Sequence, residues 1–168
     1  MQNESLLAQI GSQKIERVVQ FRVKEGSSLL KAIEEAVKIE NIQNGVIVSG
    51  LGALKKAVFR NLKRFPDCFP VKPENRLYLK LEKPMELVSL VGWIATREDG
   101  VPEIHAHFSA STVEEETVVT LGGHLTEDTI AGIKVVISIL VLEPGSSYAG
   151  FDPSTRTYDI MFNINESA

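Results

Sequence analysis

Along most of the chain the apolar positions recur every second residue, and in one stretch every third or fourth. The clearest alternation is at residues 77–81, where Leu77, Leu79 and Leu81 interleave with Tyr78 and Lys80, the signature of a half-buried strand. Runs of apolar and β-branched residues at 15–23, 46–54, 85–95, 117–121, 133–142 and 158–164, and the alternating return run at 103–111, read as further strands. Residues 55–61 read as a separate strand pairing back on 46–54. Asp99-Gly100 marks a hairpin between 85–95 and 103–111, the acidic run Glu114-Glu115-Glu116 a second, and Pro66, Pro70 and Pro73 a loop. Helical spacing appears only at Leu29, Leu30, Ile33, Ala36 and Val37, with Lys31, Glu34, Glu35 and Lys38 opposite and Ser27 or Ser28 as the cap; a helix is expected at 28–40. The pattern predicts an α+β domain over residues 15–168, a mainly antiparallel sheet with one flanking helix, preceded by an arm at 1–14.

Composition narrows the classes. The 168 residues carry a net charge of −4, with 43 % hydrophobic and 24 % charged residues, values ordinary for a globular domain. That balance lacks the electrostatic footprint of a nucleic-acid binder, although Lys55, Lys56, Arg60, Lys63 and Arg64 form one basic window, read as a solvated face. A single cysteine, Cys68, lies in the proline-bracketed loop and has no partner for an internal disulfide. The N-terminus shows no signal-peptide pattern, and the most apolar run, 133–142, is too short to span a bilayer, so a cytoplasmic protein is expected. Gly50-Leu51-Gly52 lacks the remaining spacing of a phosphate-binding loop and reads as a bulge or a close backbone approach.

The chemistry sits in the three histidines. Strand alternation puts His105 and His107 on one face with Glu103, Ser109 and Ser111, and turns Ile104, Ala106, Phe108 and Ala110 inward. Two imidazoles at i and i+2 can share one ion, and His124, delivered by a glycine turn at Gly122-Gly123, would be the third ligand. Three histidines without a thiolate are the donor set of an open zinc site. The competing reading is plain polar decoration or subunit contact. Glu103 is the candidate general base, Glu86 and Ser109 are weaker ones, and Arg97 could clamp an anionic substrate.

In order along the chain, the segments 45–53 (Gly-Val-Ile-Val-Ser-Gly-Leu-Gly-Ala), 86–92 (Glu-Leu-Val-Ser-Leu-Val-Gly), 99–107 (Asp-Gly-Val-Pro-Glu-Ile-His-Ala-His) and 122–125 (Gly-Gly-His-Leu) resemble the plant and prokaryote conserved (PPC/PCC) domain family. The resemblance runs from about residue 15 to 162. It implies the same mainly antiparallel fold, a homotrimer, and zinc held by His105, His107 and His124. The fold is also similar to that of acetolactate decarboxylase, where histidines hold a catalytic zinc. Plant members bind DNA through AT-hook arms of the Arg-Gly-Arg-Pro type, which this sequence lacks, so DNA is a partner that its charge does not support. Lys134 stands where many prokaryotic relatives carry an acidic residue, which weakens the case for catalysis. The resemblance therefore implies a trimeric ligand-binding or regulatory protein with bound zinc. The alternatives are a zinc-dependent lyase or hydrolase acting on a small carbonyl or carboxylate substrate, and a DNA-binding regulator.

Overall fold

The computed structural model describes residues 6–163. Nine strands and one α-helix follow one another as β1 (Ile15–Val23), α1 (Leu29–Ile39), β2 (Asn44–Leu62), β3 (Arg76–Leu81), β4 (Met85–Thr96), β5 (Pro102–Glu114), β6 (Thr117–His124), β7 (Ile130–Leu142), β8 (Ser147–Asp152) and β9 (Thr157–Phe162). Seven strands make one antiparallel sheet in the order β1-β7-β2-β4-β5-β6, with β3 paired to the second half of β2. The sheet curls until β6 returns to β2 through the pair Arg60 and His124. The expected α+β architecture is the one observed.

The helix forms where its periodicity places it. The Ser28 side chain accepts a hydrogen bond from the Lys31 amide at 3.4 Å, and Asn41, at φ 50°, takes the left-handed conformation just past the last turn. Its buried residues Leu29, Ile33 and Val37 join a single apolar cluster with Ile47, Ile94, Ile137 and Ile139 from the sheet. Further along, Phe59 of β2 stacks on Phe108 of β5 with ring centroids 4.9 Å apart. These two rings bury the inward positions of their strands. The adjoining Arg60 and His107 therefore face outward together.

Four expectations needed correction. The predicted strands 46–54 and 55–61 are one strand, β2. The chain does not turn back because Gly52, at φ 147°, absorbs the irregularity as a bulge opposite β7; a Cβ there would lie 2.0 Å from the Lys134 carbonyl oxygen. β7 begins at Ile130 rather than residue 133, since Ile130 and Ala131 pair with Lys56 and Leu54. Gly122-Gly123 is no turn: β6 runs straight through to His124, and Gly123 lets its backbone pass against Arg60, whose amide nitrogen and carbonyl oxygen would lie 3.2 and 3.1 Å from any Cβ. β8 is absent from the predicted elements. It pairs along its length with β9 and meets the chain just beyond β4 through one isolated bridge between Ala149 and Arg97, so the final strand forms a separate hairpin rather than an edge of the main sheet. Ile164, expected in that strand, lies outside the described residues. Both predicted hairpin turns are present, with Gly100 at φ 81° in one and Glu115 at φ 54° in the other.

Candidate metal centre

The candidate site is a row of residues lying side by side across four strands. In register, Tyr78 of β3 faces Arg60 of β2, Arg60 faces His124 of β6, and His124 faces His107 of β5. Directly opposed residues of neighbouring strands point to the same side of the sheet, so all four side chains share one surface. His105 stands two residues from His107 on that face and packs against Trp93 of β4 with ring centroids 5.4 Å apart.

The three imidazoles converge. His105 Nε2 and His107 Nε2 are 3.1 Å apart, the His105 and His124 rings have centroids 4.8 Å apart, and one ligand nitrogen from each ring lies within 4.8 Å of the others. A tetrahedral ion with bonds of roughly 2.0–2.1 Å sets its ligand nitrogens about 3.3 Å apart. Small side-chain rotations therefore suffice, and the donor set fits a divalent metal. The protonation state fits as well. Burial, reinforced by Arg60 and the neighbouring histidines, pushes His124 down to about 3. His105 is lowered by burial and then by His107, and His107 by burial and then by Arg60. All three rings are thus held neutral near pH 7, the form that coordinates a metal.

The rings open into a cavity of about 450 Å³ that is also lined by Arg60, Asn61, Leu62, Val71 and Arg76. Arg60 is lowered by burial and by the charge of Arg76, and its polar neighbour is Tyr78. Neither arginine was singled out as a site residue from the sequence. Arg60 was merged with the basic window, and only the distant β2–β6 pairing sets it beside His124. The other predicted residues lie apart from this cavity. Glu103 shares the histidine strand face, but its carboxylate accepts from Arg97 Nε at 2.8 Å and also from Arg97 Nη2, and the Arg97 guanidinium lies 4.2 Å over the Tyr158 ring. Ser109 hydrogen-bonds to Ser89 at 2.8 Å. Glu86 and Lys134 do not line the cavity, and Cys68 is exposed in its loop.

The chain is thus a mainly antiparallel sheet that curls onto itself, with three histidines gathered on one face. Residues 10–143 match the Plants and Prokaryotes Conserved (PCC) domain, and the chain belongs to that family. A plant- and prokaryote-conserved protein of Pyrococcus horikoshii has a similar structure at 26 % identity and a TM-score of 0.70, over 92 % of this chain and 99 % of that one. A metal-containing protein of Archaeoglobus fulgidus is similar at 20 % identity and a TM-score of 0.70, over 91 % and 99 %. A candidate DNA-binding protein of Bacteroides thetaiotaomicron is similar at 19 % identity and a TM-score of 0.69, over 92 % and 99 %. At the two lower identities the likeness shows the fold. No functionally curated protein matches the chain in sequence.

Proposed function

We propose that this chain binds one zinc ion through His105, His107 and His124 and uses the open side of that ion to hold a small ligand, as a ligand-binding or regulatory homotrimer. The observation that carries the reading is the convergence of three neutral imidazoles, with ligand nitrogens within 4.8 Å of one another, at the wall of a cavity. The metal-containing relative of Archaeoglobus fulgidus supports it. Three imidazoles with no thiolate suit zinc, and they leave a coordination position for an exogenous group. When bound, zinc would supply Lewis acidity toward that group. The residues of this chain supply the rest. His105 and His107 are fixed by the pleat of β5, and His124 by its pairing with His107. Self-association is supported by apolar side chains left in solvent on the sheet, among them Leu51, Val88, Val91 and Ile133. The number three comes from the family resemblance.

Elemental analysis of protein purified without chelator tests the central claim. About one zinc per chain is expected, and His105→Ala should abolish it while the protein stays folded. Protein that is metal-free as isolated and takes up no zinc on titration would end the reading.

An enzyme, a zinc-dependent lyase or hydrolase, is the second reading, favoured by the cavity beside the imidazoles. Against it, no carboxylate lines that cavity among the described residues, and Glu103 is occupied by Arg97. The DNA-binding reading has less support. Lys56 of the basic window is paired with Asp128 at 2.8 Å, and Arg60 turns toward the histidines.

A further inference from the structure

Arg60 and Arg76 stand together in the wall of the histidine cavity, and neither is paired with a carboxylate among the described residues. That arrangement is costly in isolation. Arg60 is partly withdrawn from water and feels the like charge of Arg76, and guanidinium groups keep their charge under all ordinary conditions. Nothing in the core requires them here. Arg60 alternates with core-facing Phe59, and Arg76 begins the short strand β3, opposite Leu62 at the end of β2. The histidines bring no negative charge to offset the pair, since an imidazole is either neutral or cationic. With a divalent ion in place the cavity would become more positive still. Two planar forks of N–H donors facing one space match the oxygens of a carboxylate or a phosphate.

We infer that Arg60 and Arg76 form an anion subsite, and that the ligand is a small molecule whose carboxylate or phosphate lies on these two guanidiniums while its other end reaches the histidine cluster. The assignment rests on the ligand-binding reading of that cluster and adds the ligand's chemical class. The cavity volume of about 450 Å³ limits the ligand to a small molecule, and Leu62 and Val71 give its carbon skeleton an apolar wall. Specificity comes from charge and from the fork geometry. A neutral analogue of the same shape would leave both arginines unpaired.

The test is calorimetric titration of the zinc-loaded and the chelator-stripped protein with inorganic phosphate, malonate and neutral malonamide, at matched ionic strength in chloride. Saturable binding of phosphate or malonate, and none of malonamide, is expected; which of the two anions binds assigns the oxyanion. Arg60→Gln and Arg76→Gln should each weaken binding about tenfold or more with zinc per chain unchanged. Arg60→Lys and Arg76→Lys, which keep the charge and lose the fork, should fall between, and they replace the glutamine variants if those fail to fold. The proposal is overturned if no anion binds above chloride, or if the double arginine variant binds as well as the parent. Metal content, read on the same samples, separates the two claims. Arginine-dependent anion binding by a chain that takes up no zinc would support this subsite and remove the metal reading. Zinc uptake without anion binding would do the reverse.

Discussion

His124 carries the largest perturbation in the site, and its cause is positional: it is half-buried between Arg60 on one strand and His107 on the other. A buried base with a depressed folded-state pKa binds fewer protons than the unfolded chain between the two values. The stability of the metal-free protein should therefore be fully present above about 6.5, the ordinary histidine value, and decline as pH falls toward about 3. His105 and His107 act in the same direction. Urea denaturation of stripped protein at pH 7, 5.5 and 4.5 should show a falling midpoint, and His124→Gln, which cannot take up the proton, should flatten the fall. An unchanged slope would mean that His124 titrates as an ordinary exposed imidazole. Zinc holds the same imidazoles unprotonated in the folded chain, so saturating zinc should raise the midpoint at pH 7 without flattening its fall in acid. Residue by residue, His105 and His107 were legible because alternation is local: Ala106 and Phe108 are buried and the histidines are not. Arg60 and Arg76 were not legible, because nothing near residue 60 in sequence says that residue 124 will lie beside it.

At the scale of elements the same distinction holds. The helix, the two tight hairpins and most strands follow from periodicity and turn residues close in sequence. The misread elements depended on partners far away. Residues 46–54 and 55–61 look like two strands because nothing local shows that the strand carries on past Leu54; its continuity is set by the pairing of Leu54 and Lys56 with β7. β8, Ser-Tyr-Ala-Gly-Phe-Asp, lacks the β-branched residues that mark a strand and takes its order from β9. Glycines at such contacts serve approach rather than turning. Gly92 of β4 pairs with Ala106 of β5, and a Cβ there would lie 2.3 Å from the His105 carbonyl oxygen. Gly92→Ala should therefore push β4 away from the histidine strand. A loss of about 1–3 kcal/mol is expected from the overpacking, together with weaker zinc binding. Gly122→Ala is the matched comparison on β6. Its nearest neighbour would be 3.3 Å away, so it should cost less and leave the metal in place. Chemical denaturation and a zinc competition titration on both variants measure this; equal effects would mean that the β4–β5 contact gives way more easily than the backbone spacing implies.

For the whole molecule the open question is what covers the sheet. No helix among the described residues is long and apolar enough to cross a membrane, so the exposed apolar side chains are not explained by a helical span. Leu51 is 71 % exposed and lies directly opposite Val136 across β2 and β7, with Val48 and Val88 also open to solvent. Side chains of this size on a sheet surface suit burial against another copy. If that association is the trimer that the family resemblance implies, light scattering coupled to size exclusion should give about three times the 18.5 kDa chain mass. Leu51→Glu should shift the protein toward one chain mass without loss of secondary structure by circular dichroism, since Leu51 contributes little to the core of its own chain. A parent protein that elutes as one chain would remove the trimer. The same variant also bears on the site. His105, His107 and His124 already converge within a single chain, so a folded monomer should still bind one zinc. If monomerisation abolished zinc uptake with the fold intact, a group from the neighbouring subunit would have to complete the site, and the cavity beside Arg60 and Arg76 is where that group would enter.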